Sequence, residues 1–487
     1  KWSDGVPLTA ADSVYSFQLA SDPATPVVKR TSDQVASYQA LDALTVQMVS
    51  KPGLVTDMFE KYFWTPLPQH VWGKYTAKEL LTAEISTRTP LGWGAYVIEE
   101  WIPGEAIHLK KNSYYFRADE GLPYIKDVKF IFTRGEEPDD NRKAIEMGAC
   151  DIVDSTVKLN EFLGNWMRNG NKNQLHKAFI EQDNLIELLA LRIGNKRNRN
   201  IEQPNTNLRF NFFSDKDIRK AISYCIDQEE LIQNFLYDYS AIPLSIYPPK
   251  HPQYQEVIHI PEHDLEKGND LLQKSGWVDN DNNPETPRTS RNVPGIPDNT
   301  QLEITYIALK GDSEFNIANY LMNSLEQCGI KVKLKTIPIY EFFSPNQNGA
   351  LFGQYYDIAQ LSLSLSPRAL CQYFSNPYVE SNRKEITEQI NLLNFTGFSN
   401  DNLDSLCKEL VSNNKLYKED DEIIENIQKI ISEEIPIIPL FYHLKVSLTQ
   451  YPICGFTLDL SARSDLWNIE EFYFGKNCRN EEQLIIE

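Results

Sequence analysis

The sequence predicts an α/β protein folded as more than one lobe, on three observations. Its 487 residues are too many for one hydrophobic core, and a content of 41% hydrophobic and 24% charged residues is that of a packed globular chain. An apolar strand (Leu302 to Ala308), a helix (Glu314 to Gln327), a stop at Gly329 and a second strand (Ile330 to Thr336) form the βαβ unit of a parallel sheet. Two alternating runs about Pro103-Gly104, Val97 to Trp101 and Ile107 to Leu109, read as an antiparallel hairpin.

Other elements follow from their start and stop signals. Thr9 with Asp12 three residues on makes a capping box, and Val14 and Phe17 give the helix behind it an apolar face. Asp215-Lys216-Asp217 caps a helix that carries Ile218, Ile222 and Cys225 and extends to about Phe235. The polar stretches Asn195 to Asn207 and Asp279 to Thr300 read as surface loops.

The formal charge of -20, from 68 acidic and 48 basic residues, repels phosphate backbones, so no nucleic-acid partner is expected. Apolar runs such as Ile435 to Phe441 fall far short of the roughly 20 residues of a membrane span, and no signal peptide lies within the sequence. Seven cysteines occur without a C-x-x-C pair; Cys454 and Cys478 are candidates to bond to one another.

Motifs for chemistry are weak. His259 and His263 have helical ligand spacing, but Pro261 between them disfavours the shared face, and scattered surface histidines are the simpler reading. Asp279-Asn280-Asp281-Asn282-Asn283 begins like a calcium loop but has Pro284 at its sixth position and Ser290 at its twelfth, so neither metal nor cofactor is expected. No G-x-S-x-G, Walker A or G-x-G-x-x-G occurs, and Glu99-Glu100 in a strand point to opposite faces. The chain reads as a non-enzyme.

Six blocks in order resemble the family 5 extracellular solute-binding proteins. They are Lys1-Trp2-Ser3-Asp4-Gly5-Val6-Pro7-Leu8-Thr9-Ala10-Ala11-Asp12 running on to Ser16; Gly92-Trp93-Gly94-Ala95-Tyr96 with Trp101-Ile102-Pro103-Gly104-Glu105; and Ala144-Ile145-Glu146-Met147-Gly148-Ala149-Cys150-Asp151-Ile152. The others are Asp217-Ile218-Arg219-Lys220-Ala221-Ile222-Ser223-Tyr224-Cys225-Ile226-Asp227, Leu271-Leu272-Gln273-Lys274-Ser275-Gly276-Trp277 and Ile435-Pro436-Ile437-Ile438-Pro439-Leu440-Phe441-Tyr442. The resemblance implies a bilobal periplasmic-binding-protein-like fold (type II, peptide-binding class) with a third small lobe, N-terminally truncated. It divides the chain into 1–66 (remainder of the small lobe), 67–185 (first large lobe), 186–448 (second large lobe) and 449–487 (a tail returning to the first).

By that resemblance the protein is the substrate-binding subunit of an ABC importer. It is expected to be a monomer outside the cytoplasm, with its signal sequence upstream of residue 1, that closes on a peptide-like or other polar solute and delivers it to the permease subunits. The alternatives are a receptor for an oligosaccharide or metal chelate and, in another class, a hydrolase with an unconventional site. The resemblance places Asp154, Ser155 and His443 at ligand-contact positions, and Ser366 where peptide-binding relatives carry an aspartate for the α-ammonium group. Gln360 of the same stretch is a further ligand-binding candidate, and Ser362, Ser364 and Ser366 alternate with leucines and, in a strand, would share one polar face. With a neutral Ser366, the solute is expected to be uncharged at this end or held by an acid elsewhere, Asp154 being a candidate.

Overall fold

The computed structural model describes all residues except 28, 30, 53–61, 133–147, 157–175, 195–209, 252, 282, 284, 345–348, 376–392, 413–419, 451–452 and 476–487. The chain forms two compact units: 1–157 with 171–179 and 447–487, and 158–170 with 180–446. The expected loop at Asn195 to Asn207 lies outside the described residues.

Unit 1 opens with the expected helix α1 (Ala10–Ser21). Asp12, its third residue, accepts from the Thr9 amide at 2.9 Å, from Trp2 Nε1 at 3.3 Å and from the Gln69 amide at 3.2 Å, so one carboxylate ties the helix start to two neighbouring segments. Val14 and Phe17 pack on Tyr38 of the hairpin β1 (Val35–Ala40) and β2 (Val46–Ser50). The expected hairpin is β3 (Tyr96–Ile102) and β4 (Ala106–Lys111), joined by Gly104 in the left-handed region (φ 73°) and continued by β5 (Asp127–Ile131). A bulge between Ile98 and Glu100 breaks the alternation, so Glu99 and Glu100 are both exposed, and Glu99 pairs with Lys110. The short β6 (Ile152–Val153) completes this part of the chain.

The chain passes from unit 1 into unit 2 within β7 (His176–Leu191). In unit 2 the βαβ unit appears as expected, with β10 (Glu303–Leu309) and β11 (Lys331–Ile337) in parallel register. The sheet runs β11-β10-β12-β7-β13, where β12 is Ile358–Ser364 and β13 is Ile437–Gln450. Alternate residues of the central strands, among them Ile186, Leu188, Ala190, Ala359, Leu361 and Tyr442, enter one buried core. At the β11 edge, Lys331, Lys333 and Lys335 are exposed; the first two pair with Glu303, and Lys335 stands beside the core residue Ile307.

Two expectations are corrected here. The helix beginning near residue 215 is two helices, α2 (Lys216–Tyr224) and α3 (Gln228–Leu236), because the Asp227 carboxylate caps a new start through the Glu230 amide at 2.8 Å; between them Cys225 is tied to Cys328. The stretch Asp279 to Thr300 is not all loop: β8 (Trp277–Val278) pairs with β9 (Thr289–Ser290) inside it. Beyond them lie α4 (Asp312–Glu326), α5 (Pro367–Phe374), α6 (Asp401–Ser412) and α7 (Asp420–Glu434).

A second disulfide, Cys371–Cys407, ties α5 to α6. Cys454, in the short β14 (Ile453–Cys454) that pairs with β15 (Tyr473–Phe474) in unit 1, is disulfide-bonded, and Cys478 lies outside the described residues. There Phe179, Phe456 and Phe472 form a small aromatic core. No helix among the described residues is long and apolar enough to cross a membrane.

Candidate functional site

The strands of unit 2 gather a polar cluster on the face opposite the core. Gln360 and Ser362 sit two apart on β12, the register places Ser362 directly opposite Glu187 of β7, and β13 brings in His443. Glu187, 4% exposed, is the hub. Its Oε1 accepts from Gln360 Nε2 at 2.7 Å; its Oε2 accepts from Ser362 Oγ at 2.5 Å and lies 3.0 Å from His443 Nε2. Gln360 Oε1 in turn accepts from the buried Tyr306 hydroxyl at 2.8 Å, which fixes the orientation of the Gln360 amide.

Burial acts to raise the Glu187 pKa, but the hydrogen bond and charge of His443, with the Ser362 and Gln360 donors, outweigh it and hold the carboxyl below the usual glutamate range. Burial, then the Glu187 charge, pushes the Tyr306 phenol well above its ordinary value. Glu187 therefore stays ionised while Tyr306 stays protonated at neutral pH.

A serine, a histidine and an acid meet here, yet their wiring differs from that of a nucleophilic triad. In a triad the acid orients the imidazole and the imidazole takes the serine proton. Here Ser362 and His443 both engage the same carboxylate oxygen, so the serine proton is directed at the acid. Such an arrangement holds the side chains and presents the half-buried imidazole outward.

The other residues singled out in the sequence make no hydrogen bond to Glu187. Ser364 ends β12 and is exposed. Ser366 falls beyond the strand: with Pro367 opening α5, its hydroxyl is the N-cap and accepts from the Ala369 amide at 3.2 Å, so it does not continue the polar face. Asp154 and Ser155 belong to unit 1. Asp154 accepts from the Thr156 amide at 3.1 Å in an Asx turn, and the Ser155 amide donates to Asp465 at 2.7 Å. His263 pairs with Asp227 at 3.1 Å, and Asp281 accepts from the Asn283 amide at 3.1 Å and from Thr286 Oγ1 at 2.7 Å. Among the described residues no three His, Cys, Asp or Glu side chains converge as a metal site.

Glu187 is absent from the sequence-derived set. Its signal is visible in retrospect: a lone carboxylate within Leu185-Ile186-Glu187-Leu188-Leu189-Ala190-Leu191 must be buried with partners.

The fold is an α/β one, and its polar cluster is wired for holding groups in place. The chain belongs to the bacterial extracellular solute-binding proteins, family 5, whose model matches residues 1–384. It is 24% identical over 501 residues to the oligopeptide-binding protein AppA of Bacillus subtilis (strain 168), covering 98% of this chain and 79% of the relative. The solved structure of the B. subtilis AppA in complex with a nonapeptide matches at TM-score 0.65 and 20% identity, over 98% of this chain and 85% of that one. NikA from Brucella suis in complex with Fe(III)-EDTA matches at TM-score 0.68 and 16% identity, over 98% and 86%. Both structural likenesses speak for the fold.

Proposed function

We propose that this chain is the solute-capturing subunit of an ABC importer of the oligopeptide type, which takes up a peptide-like solute outside the cytoplasm and delivers it to membrane permease subunits. The observation that carries this reading is an alignment to an oligopeptide-binding relative that covers 98% of the chain. Capture proceeds by closure of the two units, with β7 and β13, through which the chain passes between them, as the flexing segments. Two disulfides in unit 2 suit an oxidising compartment outside the cytoplasm.

Of the residues singled out in the sequence, His443 and Ser364 are the best candidates for ligand contact. His443 is anchored through Nε2 and keeps Nδ1 for a partner, while Ser364 is exposed on β12, which β7 separates from the strand of His443. Asp154, Ser155, Gln360, Ser362 and Ser366 are engaged within the protein through side chain or backbone and would act by shaping the site.

Calorimetry with one oligopeptide in free and N-acetylated forms tests the reading. Saturable binding without cleavage supports it, and comparable affinity for the two forms supports a neutral recognition end. Failure to bind any member of a mixed-length peptide library, together with recovery of a bound metal chelate from native purification, would replace it.

A further inference from the structure

Glu187 and His443 stand on the neighbouring strands β7 and β13, on the side of the sheet away from the core that takes Ile186, Leu188 and Tyr442. The bonds around them settle where the imidazole carries its proton. The Tyr306 hydroxyl donates to Gln360 Oε1, so the Gln360 amide turns its N–H toward Glu187 Oε1, and the Ser362 hydroxyl donates to Oε2. An ionised carboxylate accepts and does not donate. Its 3.0 Å bond to His443 therefore needs a proton on Nε2, and in the neutral ring Nδ1 then carries a lone pair.

Nδ1 has no hydrogen-bond partner among the described residues and is not sealed from solvent, on a side chain 28% exposed. The buried Phe441, two residues back on β13, has its ring centroid 5.4 Å from that of the imidazole. Packing thus holds the ring from one side and the acid holds it at one end. Stability alone does not call for such a cluster, because buried ionic groups are often replaceable by packed apolar side chains without loss. What the acid secures is the direction of the imidazole.

We propose that Glu187 is a positioning residue for solute recognition: it holds His443 as the Nε2–H tautomer, so that Nδ1 accepts an N–H donor of the solute. A carboxylate or carbonyl oxygen brought to this point would meet a lone pair with an ionised acid behind it, and is disfavoured. The inference rests on the proposed capture of a peptide-like solute and narrows it: the group that seats on His443 is a backbone amide N–H. Every protein group it invokes belongs to unit 2.

Two measurements on the full chain test this. In 15N-histidine-labelled protein at pH 8, the ring signals of His443, identified by their loss in His443→Phe, are expected to show the proton on Nε2. Glu187→Gln keeps an acceptor for Gln360 and sets an amide N–H against His443 Nε2, so it is expected to move the proton to Nδ1. An acid with a merely structural role would leave the tautomer unmoved by this change. A parent ring protonated on Nδ1, or on both nitrogens, overturns the proposal.

The binding measurement uses the tightest-bound member of a mixed-length peptide library and its analogues in which single backbone amides are replaced by esters. Each ester removes one N–H at nearly constant shape. One of them is expected to weaken binding about tenfold in the parent and to make no difference in His443→Phe. Should that variant unfold, Glu187→Gln must erase the same loss, since its Nδ1 no longer accepts. A parent that tolerates every ester, or a loss that persists in the variants, overturns the proposal and leaves the transport reading standing. A library with no bound member instead overturns the peptide reading and the claim on the solute together, and the tautomer spectrum then decides the role of Glu187.

Discussion

Arg192 and Asp357 form an ion pair in the interior of unit 2, Nη2 to Oδ1 2.8 Å, with side chains only 3% and 5% exposed. Each partner is also bound to backbone: Arg192 donates to the carbonyls of Tyr356 (2.7 Å) and Phe210 (2.7 Å), and Asp357 Oδ2 accepts from the Thr305 amide at 2.8 Å. The pair thus joins the end of β7 to the entries of β10 and β12. Removing one charge strands the other in a dry site, so Asp357→Ala is expected to cost about 3–5 kcal/mol in urea unfolding. Arg192→Met combined with Asp357→Leu should cost less than the sum of the single changes, and strict additivity would count against a coupled pair.

Glu187 makes stability depend on pH in a definite direction. Its folded pKa is depressed, so the stabilisation is complete above the ordinary glutamate value, about 4.3, and is lost as pH falls from there through the folded pKa. Glu187→Gln keeps an acceptor for Gln360 but puts a donor where Ser362 and His443 meet Oε2, and is expected to cost about 2 kcal/mol at pH 7. The gap between variant and parent should narrow below about pH 4. A gap that is constant from pH 7 to pH 3 would show that the charge is unimportant.

Reduction should destabilise unit 2 in two steps of similar size. The disulfides close loops of 103 and 36 residues in sequence separation, and the chain-entropy relation assigns them about 5 and 4 kcal/mol. Denaturant midpoints of Cys225→Ser/Cys328→Ser and Cys371→Ser/Cys407→Ser variants check this, and unchanged midpoints would mean that the reduced chain is already constrained.

Ser366 separates a structural role from a recognition role. Ser366→Ala should cost about 1 kcal/mol through loss of the helix cap, while Ser366→Asp keeps a good cap. If the position faces the solute's amino end, the aspartate variant alone should raise affinity for a free-amine peptide over its N-acetyl form. No change in that preference would leave Ser366 as a cap only.

Closure on binding is expected to reduce the radius of gyration in small-angle scattering of the chain saturated with its solute. An unchanged profile, with occupancy confirmed by calorimetry, would exclude the flexing of β7 and β13.

Much of the fold was legible because local signals and tertiary packing agree. The capping box at Thr9 and Asp12, the Pro103-Gly104 hairpin and the βαβ unit all stand where their patterns place them. The break between α2 and α3 was missed although it carries a local signal, Asp227 with Glu230 three residues on, because the apolar periodicity runs through it. The Glu99 bulge and the position of Ser366 outside β12 escaped for a related reason: alternation alone does not reveal where a ladder is interrupted. Gln360, Ser362 and His443 were singled out by pattern or resemblance, but the acid that gathers them lay hidden in an apolar run.

The lysines of β11 bear on how this protein keeps company with itself. A further strand laid along that edge would have to cover Lys331, Lys333 and Lys335, and Lys335 stands beside the core residue Ile307, where its ammonium would be taken out of water. A crowded compartment offers many chances for such edge-to-edge joining. Three lysines on one short strand make each of them unprofitable, so this edge opposes the joining of one copy to the next.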